Sequence, residues 1–160
     1  MDRRQFLNLA GAALAAGAAS RAIAADAPPV FIGKVVKSDE QWRVLLTPAQ
    51  YHVLREEGTE RAFTSPLDKE KRAGTYVCAG CALQLFESRT KFDSGTGWPS
   101  FWDSIPGRVE TKVDTRYPYF VKEYHCARCG GHHGHIFDDG PKPTGLRYCN
   151  NGVALKFIPA

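Results

Sequence analysis

Cys78-Ala79-Gly80-Cys81 and Cys126-Ala127-Arg128-Cys129 place four of the chain's five cysteines in two CxxC pairs. Two thiolates at this spacing can grip one metal ion from a tight turn. Glycines beside them, here Gly80, Gly130 and Gly131, relieve the crowding by allowing positive φ. Two such knuckles make a closed four-sulfur site, which favours zinc, with an iron–sulfur centre as the lesser alternative. A site whose four positions are all filled by protein is structural. The 44 residues between Cys81 and Cys126 then form a loop pinned at its base. The competing arrangement is two disulfides, which an exported chain permits. A thioredoxin-type role fits less well, because neither pair precedes a helix in a βαβ setting.

The fifth cysteine, Cys149, lies in Gly145-Leu146-Arg147-Tyr148-Cys149-Asn150-Asn151-Gly152 and has no partner at ligand spacing. It is the candidate nucleophile. Sulfur chemistry needs a thiolate, so a neighbour must lower the thiol's pKa, and Arg147 and His135 are the groups to consider. Asn150 and Asn151 offer amides to a substrate oxygen. The bland alternative is a small apolar side chain inside a strand. His132, His133 and His135 likewise read either as site residues or as an exposed loop. The aromatic run Gly97-Trp98-Pro99-Ser100-Phe101-Trp102 reads either as core or as pocket wall.

Composition narrows the class. A chain of 160 residues, 24% charged and 43% hydrophobic, is a single globular domain with a core of its own. The net charge of +4 falls to +2 without residues 1–25, which carry Arg3, Arg4 and Arg21 against Asp2. The remaining basic residues are interleaved with acidic ones, so nucleic-acid binding has no electrostatic footprint.

Residues 1–25 have the layout of an export signal. Arg3-Arg4 precede a weakly apolar run from Leu9 to Ala19, and Ala22-Ile23-Ala24 is a small-x-small cleavage site, with Ala25-Asp26-Ala27 as an alternative. The run is too short to span a bilayer, so no stable membrane association is expected. An uncleaved amphipathic helix is the other reading. The segment resembles a twin-arginine signal, which implies a bacterial periplasmic protein. That route carries folded proteins, so zinc would be sealed in before any oxidant is met.

Residues 26–37 read as a linker and residues 38–160 as the domain. Thr47-Pro48 is a helix start, with Tyr51, Val53 and Leu54 as its apolar face and Gly58 as its stop. Short β-rich runs follow at 75–77, 83–86, 109–113, 119–124, 135–137 and 153–158, punctuated by Gly, Pro and Asp. The pattern predicts a mainly β, mostly antiparallel domain with a small helical part at its N-terminal end.

Several segments together resemble a known family. They are Glu56-Glu57-Gly58-Thr59-Glu60-Arg61, Gly74-Thr75-Tyr76-Val77-Cys78-Ala79-Gly80-Cys81, Lys91-Phe92-Asp93-Ser94-Gly95 and Gly97-Trp98-Pro99-Ser100-Phe101. Cys126-Ala127-Arg128-Cys129-Gly130-Gly131-His132, Gly134-His135-Ile136-Phe137-Asp138-Asp139-Gly140-Pro141 and Pro143-Thr144-Gly145-Leu146-Arg147-Tyr148-Cys149 continue the series. In this order, over about residues 39–158, they resemble methionine sulfoxide reductases of the B type. The resemblance implies two antiparallel β-sheets packed together with peripheral helices. It also implies one structural zinc on Cys78, Cys81, Cys126 and Cys129, away from the catalytic pocket.

By the same resemblance Cys149 attacks the sulfoxide sulfur of the R epimer of methionine sulfoxide and is left as a sulfenic acid. His135, with His132 and Asn151, matches the positions that bind or protonate the sulfoxide oxygen, and Trp98 matches the wall that receives the substrate methyl. The expected partners are oxidised proteins and a thioredoxin-like or other thiol reductant, and the expected state is a monomer. A non-catalytic zinc-ribbon module on the same scaffold is the rival reading, but it has no need of Cys149. One departure stands out. Many members carry a resolving cysteine where this chain has Thr96 between Gly95 and Gly97, so recycling must use an external thiol.

Overall fold

The computed structural model describes residues 31–117 and 120–160. The expected export signal and its cleavage sites lie outside the described residues.

Two short helices open the domain. Helix α1 (Asp39–Leu45) and helix α2 (Pro48–Glu56) each begin with a reciprocal capping box, Ser38 with Gln41 and Thr47 with Gln50. In each, the cap hydroxyl accepts the N3 amide while the Gln side chain accepts the cap's own N–H, satisfying two donors that a helix start leaves orphaned. Pro48 sits at N1, where its missing N–H costs nothing. The α2 stop is one residue earlier than expected: Glu57 takes the left-handed conformation at φ 54°, and Gly58 follows it, donating its N–H to His52 O at 2.9 Å. Trp42 from α1 and Tyr51, Val53 and Leu54 from α2 are buried. Ahead of α1, Ile32 and Val35 pack on the core, and Val35 donates its N–H to Arg128 O at 2.8 Å.

The strands are β1 (Gly74–Cys78), β2 (Gln84–Glu87), β3 (Lys91–Phe92), β4 (Ser100–Phe101), β5 (Val109–Asp114), β6 (Val121–Cys126), β7 (His132–Phe137), β8 (Arg147–Asn150) and β9 (Leu155–Pro159). They form a three-stranded sheet in the order β2-β1-β9 and a six-stranded sheet in the order β3-β4-β8-β7-β6-β5. Every neighbouring pair is antiparallel. The expected mainly β fold with two antiparallel sheets and small helices is what the chain forms. Three short strands, β3, β4 and β8, were not foreseen, and β7 begins at His132, three residues before the expected start.

Aromatic side chains join the two sheets. Phe86 of β2 stacks on Phe101 of β4 with ring centroids 4.3 Å apart, and Tyr76 of β1 meets Phe101 edge-on at 4.8 Å. Tyr124 of β6 and Tyr148 of β8 pack edge-on around Phe86 at 6.1 and 5.8 Å. Phe86, Tyr76, Phe101 and Tyr124 are fully buried, so truncating Phe86 to alanine costs about 3–5 kcal/mol. This layer fixes how strands of the two sheets sit relative to one another.

A candidate active site and a four-cysteine cluster

Cys149 lies on β8, the strand between β4 and β7 of the six-stranded sheet. Its Cα pairs with Ser100 on one side and His135 on the other. Strands β7 and β8 approach closely at Gly134, where an added Cβ would lie 1.9 Å from Cys149 O, so no larger residue fits there. A cavity of about 140 Å³ opens above the thiol, lined by Trp98, Tyr117, His135, Phe137, Cys149 and Asn151 among others. Two larger clefts, of about 790 and 880 Å³, do not include Cys149 in their walls.

Each of the expected site residues has an identifiable holder. Trp98 donates its indole N–H to Glu60 O at 3.1 Å. Asn151 is buried, with Oδ1 accepting the Glu60 N–H and Nδ2 donating to His133 O, both at 2.9 Å. One Nδ2 hydrogen is therefore left for a substrate oxygen. His135 is bonded through Nε2 to Asp114 Oδ2 at 2.8 Å. His132 does not line the cavity. It sits 2% exposed behind His135, their ring centroids 5.4 Å apart, with Nδ1 on Glu123 Oε1 at 2.7 Å and its buried Nε2 without a protein partner.

Around the thiol, electrostatics point two ways. Burial pushes the Cys149 pKa up, and this outweighs the downward pull of Arg147 and of the Thr96 hydroxyl. The expected net lowering of the thiol pKa by Arg147 or His135 is not met in the unliganded pocket: Arg147 acts in that direction, but burial outweighs it. Arg147 is itself committed, its Nε and Nη2 forking onto Asp139 at 2.7 and 2.9 Å and its guanidinium lying 4.3 Å from the centre of the Phe137 ring. Thr96 occupies the end of a hydroxyl chain, 2.8 Å from Ser94 Oγ, which is 2.8 Å from Ser100 Oγ.

The other four cysteines come together elsewhere. Cys78 ends β1 and Cys126 ends β6, so the cluster ties the small sheet to the large one. All four Sγ atoms lie within 4.8 Å of one another, and the nearest pairs, Cys78 with Cys129 at 3.7 Å and Cys81 with Cys126 at 3.4 Å, each join one knuckle to the other. No disulfide is formed. A tetrahedral zinc with bonds of about 2.3 Å has sulfur–sulfur edges of about 3.8 Å, close to the two shortest distances between the knuckles, so the four thiols are grouped as such an ion requires. Arg55 Nη1 donates to Cys129 O at 2.9 Å and fastens α2 to the second knuckle.

Sequence reasoning missed the carboxylates that hold this pocket. Glu60, Asp114 and Glu123 form no motif of their own, and only the folded arrangement brings each carboxylate beside its partner: Glu60 beside the Gly152 and Val153 amides, Asp114 beside His135 and Glu123 beside His132.

Comparison with known proteins agrees with this geometry. The SelR domain family matches residues 46–159. The chain is 56% identical over 124 residues to the peptide methionine sulfoxide reductase MsrB of Methanosarcina barkeri (strain Fusaro / DSM 804), covering 77% of this chain and 87% of that protein. It is 55% identical over 127 residues to the protein of the same name from Bradyrhizobium diazoefficiens, covering 79% and 91%. It is 53% identical over 125 residues to that of Leptospira interrogans, covering 78% and 95%. With its fold, its four-cysteine cluster and these relatives in agreement, the chain belongs to the SelR domain family.

Proposed function

We propose that this protein is a peptide methionine sulfoxide reductase that acts on the R epimer through Cys149. The observation that carries the reading is the Cys149 thiol in a small cavity shared with Trp98, His135 and Asn151. The relatives' shared name supports the reaction class.

In this mechanism the substrate methyl packs on Trp98, and the sulfoxide oxygen turns toward Asn151 and His135. His135 protonates that oxygen, which weakens the S–O bond. Cys149 sulfur, giving up its thiol proton, attacks the sulfoxide sulfur and forms a transient S–S bond. The hydroxyl then passes to Cys149 sulfur as the S–S and S–O bonds of the substrate sulfur break: methionine sulfur gains two electrons, Cys149 sulfur loses two and is left as a sulfenic acid, and the thiol proton replaces the one His135 gave. A first external thiol then forms a mixed disulfide with Cys149 and releases water, and a second returns the free thiol. Thr96 supplies no sulfur, and the other four thiols are grouped in the cluster.

The cluster's best-fitting occupant is one structural zinc on Cys78, Cys81, Cys126 and Cys129, supported by the sulfur spacing. When bound it supplies no chemistry to the pocket and cross-links the two sheets. The layout of residues 1–25 supports export to the periplasm by the twin-arginine route, where the substrates are oxidised envelope proteins and the reductant is a thioredoxin-like thiol.

The test is one turnover without reductant. Substrate should leave Cys149 as a sulfenic acid that a dimedone reagent labels in nearly stoichiometric yield. A disulfide between Cys149 and any of the cluster cysteines would overturn the one-cysteine route.

A further inference from the structure

Glu60 makes four hydrogen bonds, two to Asn151 and Trp98 of the Cys149 cavity and two to the turn that follows Asn151. Its backbone N–H donates to Asn151 Oδ1 at 2.9 Å, and its carbonyl accepts the Trp98 indole N–H at 3.1 Å. Its carboxylate accepts the Gly152 N–H on Oε1 at 2.5 Å and the Val153 N–H on Oε2 at 3.0 Å. Those two amides open the 3₁₀ turn Gly152–Ala154, whose own N-cap, Asn151, provides no side-chain cap. Glu60 therefore caps that turn from the loop after α2, three residues past Cys149.

The arrangement ties together walls of the pocket that come from distant parts of the chain. Trp98 belongs to the loop before β4, and Asn151 follows β8; no side-chain hydrogen bond links them directly, and both bond to residue 60. Resting on the proposed reduction at Cys149, we infer that Glu60 is a positioning residue: its carboxylate pins its loop to the turn after Asn151, so that its backbone N–H and C=O hold Asn151 and Trp98 at a fixed spacing from Cys149 and set the width of the methyl pocket. The carboxylate is the specific group required, because each of its oxygens meets an N–H. An amide would turn its own NH₂ against one of them. Burial lifts the Glu60 carboxyl above its ordinary range, opposed by the Gly152 and Val153 amides, which favour the ionised form.

The experiment compares Glu60→Gln and Glu60→Ala with the wild type by two readouts. The first is the ratio of kcat/KM for methionine sulfoxide to that for ethionine sulfoxide, which differ by one methylene. That ratio does not depend on the folded fraction, so a merely structural loss leaves it unchanged. One methylene is worth about 10–200-fold in a close-fitting apolar pocket, and both variants should lose most of the discrimination. The second readout is hydrogen exchange at the Trp98 indole N–H, assigned with Trp98→Phe, and at the Gly152 and Val153 amides. Exchange at all three should quicken in Glu60→Gln, the variant to rely on where alanine impairs folding. An unchanged ratio, or unchanged exchange, overturns the inference. If the wild type reduces neither sulfoxide, the proposed reaction fails and exchange alone decides whether Glu60 holds these groups.

Discussion

His135 Nε2 lies 2.8 Å from Asp114 Oδ2, a bond from β7 to β5 that spans the intervening strand β6. The Arg116 guanidinium beside Asp114 holds its carboxyl well below the usual carboxylate range, against the opposing effect of burial. An ionised carboxylate only accepts, so Nε2 carries a hydrogen, and Nδ1 is the nitrogen that faces the substrate, able to give a proton when the ring is in its doubly protonated form. Asp114→Asn removes this bias because its amide can donate to Nε2.

Asp114→Asn should slow sulfenic acid formation by at least about 10-fold, and His135→Gln by roughly the 10²–10⁴-fold typical of a lost general acid. Single-turnover kinetics of methionine release measure both. A change confined to substrate affinity would reassign His135 to binding.

Removing one sulfur from the four-cysteine cluster should act on the fold and leave pocket chemistry nearly intact. Cys126→Ser should cost more than about 4 kcal/mol in urea unfolding, the range reached when a structural metal is lost. Elemental analysis of the wild type should find one zinc per chain. Intact disulfides and no metal would contradict this.

Much of the architecture was readable from residue types, and what escaped did so for physical reasons. Helix α2 announced itself because Thr47, Pro48 and Gln50 are local signals that need no tertiary help. Strand β8 did not, because Arg147-Tyr148-Cys149-Asn150 has no alternation of burial and is extended by pairing with β4 and β7. The paired cysteines were legible from spacing and Cys149 by exception. That His132 lies behind His135, while Trp98 shares a cavity with Cys149, depends on packing between distant segments. Glu60 and Asp114 carry no signal of their own, since a carboxylate looks like solvated surface until its partners are placed beside it.

Thr96 offers a direct test of recycling. Its hydroxyl reaches the Cys149 side chain, so a sulfur at that position should meet the sulfenic acid. Thr96→Cys should replace the dimedone-labelled product with a disulfide to Cys149, read by peptide mass spectrometry. Continued dimedone labelling would show that the Cα atoms cannot approach within about 7 Å.

His133 sets an acid sensitivity. It is fully buried, and burial pushes its pKa down from 6.5 to about 4. Between those values the unfolded chain binds a proton that the folded chain does not, so stability is lost as pH falls through this window and is unaffected above it. The loss attributable to this group reaches about 3 kcal/mol near pH 4. His133→Leu should flatten the fall in urea midpoint between pH 7 and pH 4.5 relative to the wild type.

The central claim is that Cys149 reduces one sulfoxide epimer, and the most direct measurement is turnover of the two separated epimers of a methionine sulfoxide peptide with dithiothreitol as reductant. The wild type should reduce the R epimer and leave the S epimer essentially untouched, and Cys149→Ser should reduce neither while keeping its folded spectrum. Comparable rates on both epimers, or activity surviving in Cys149→Ser, would contradict the account.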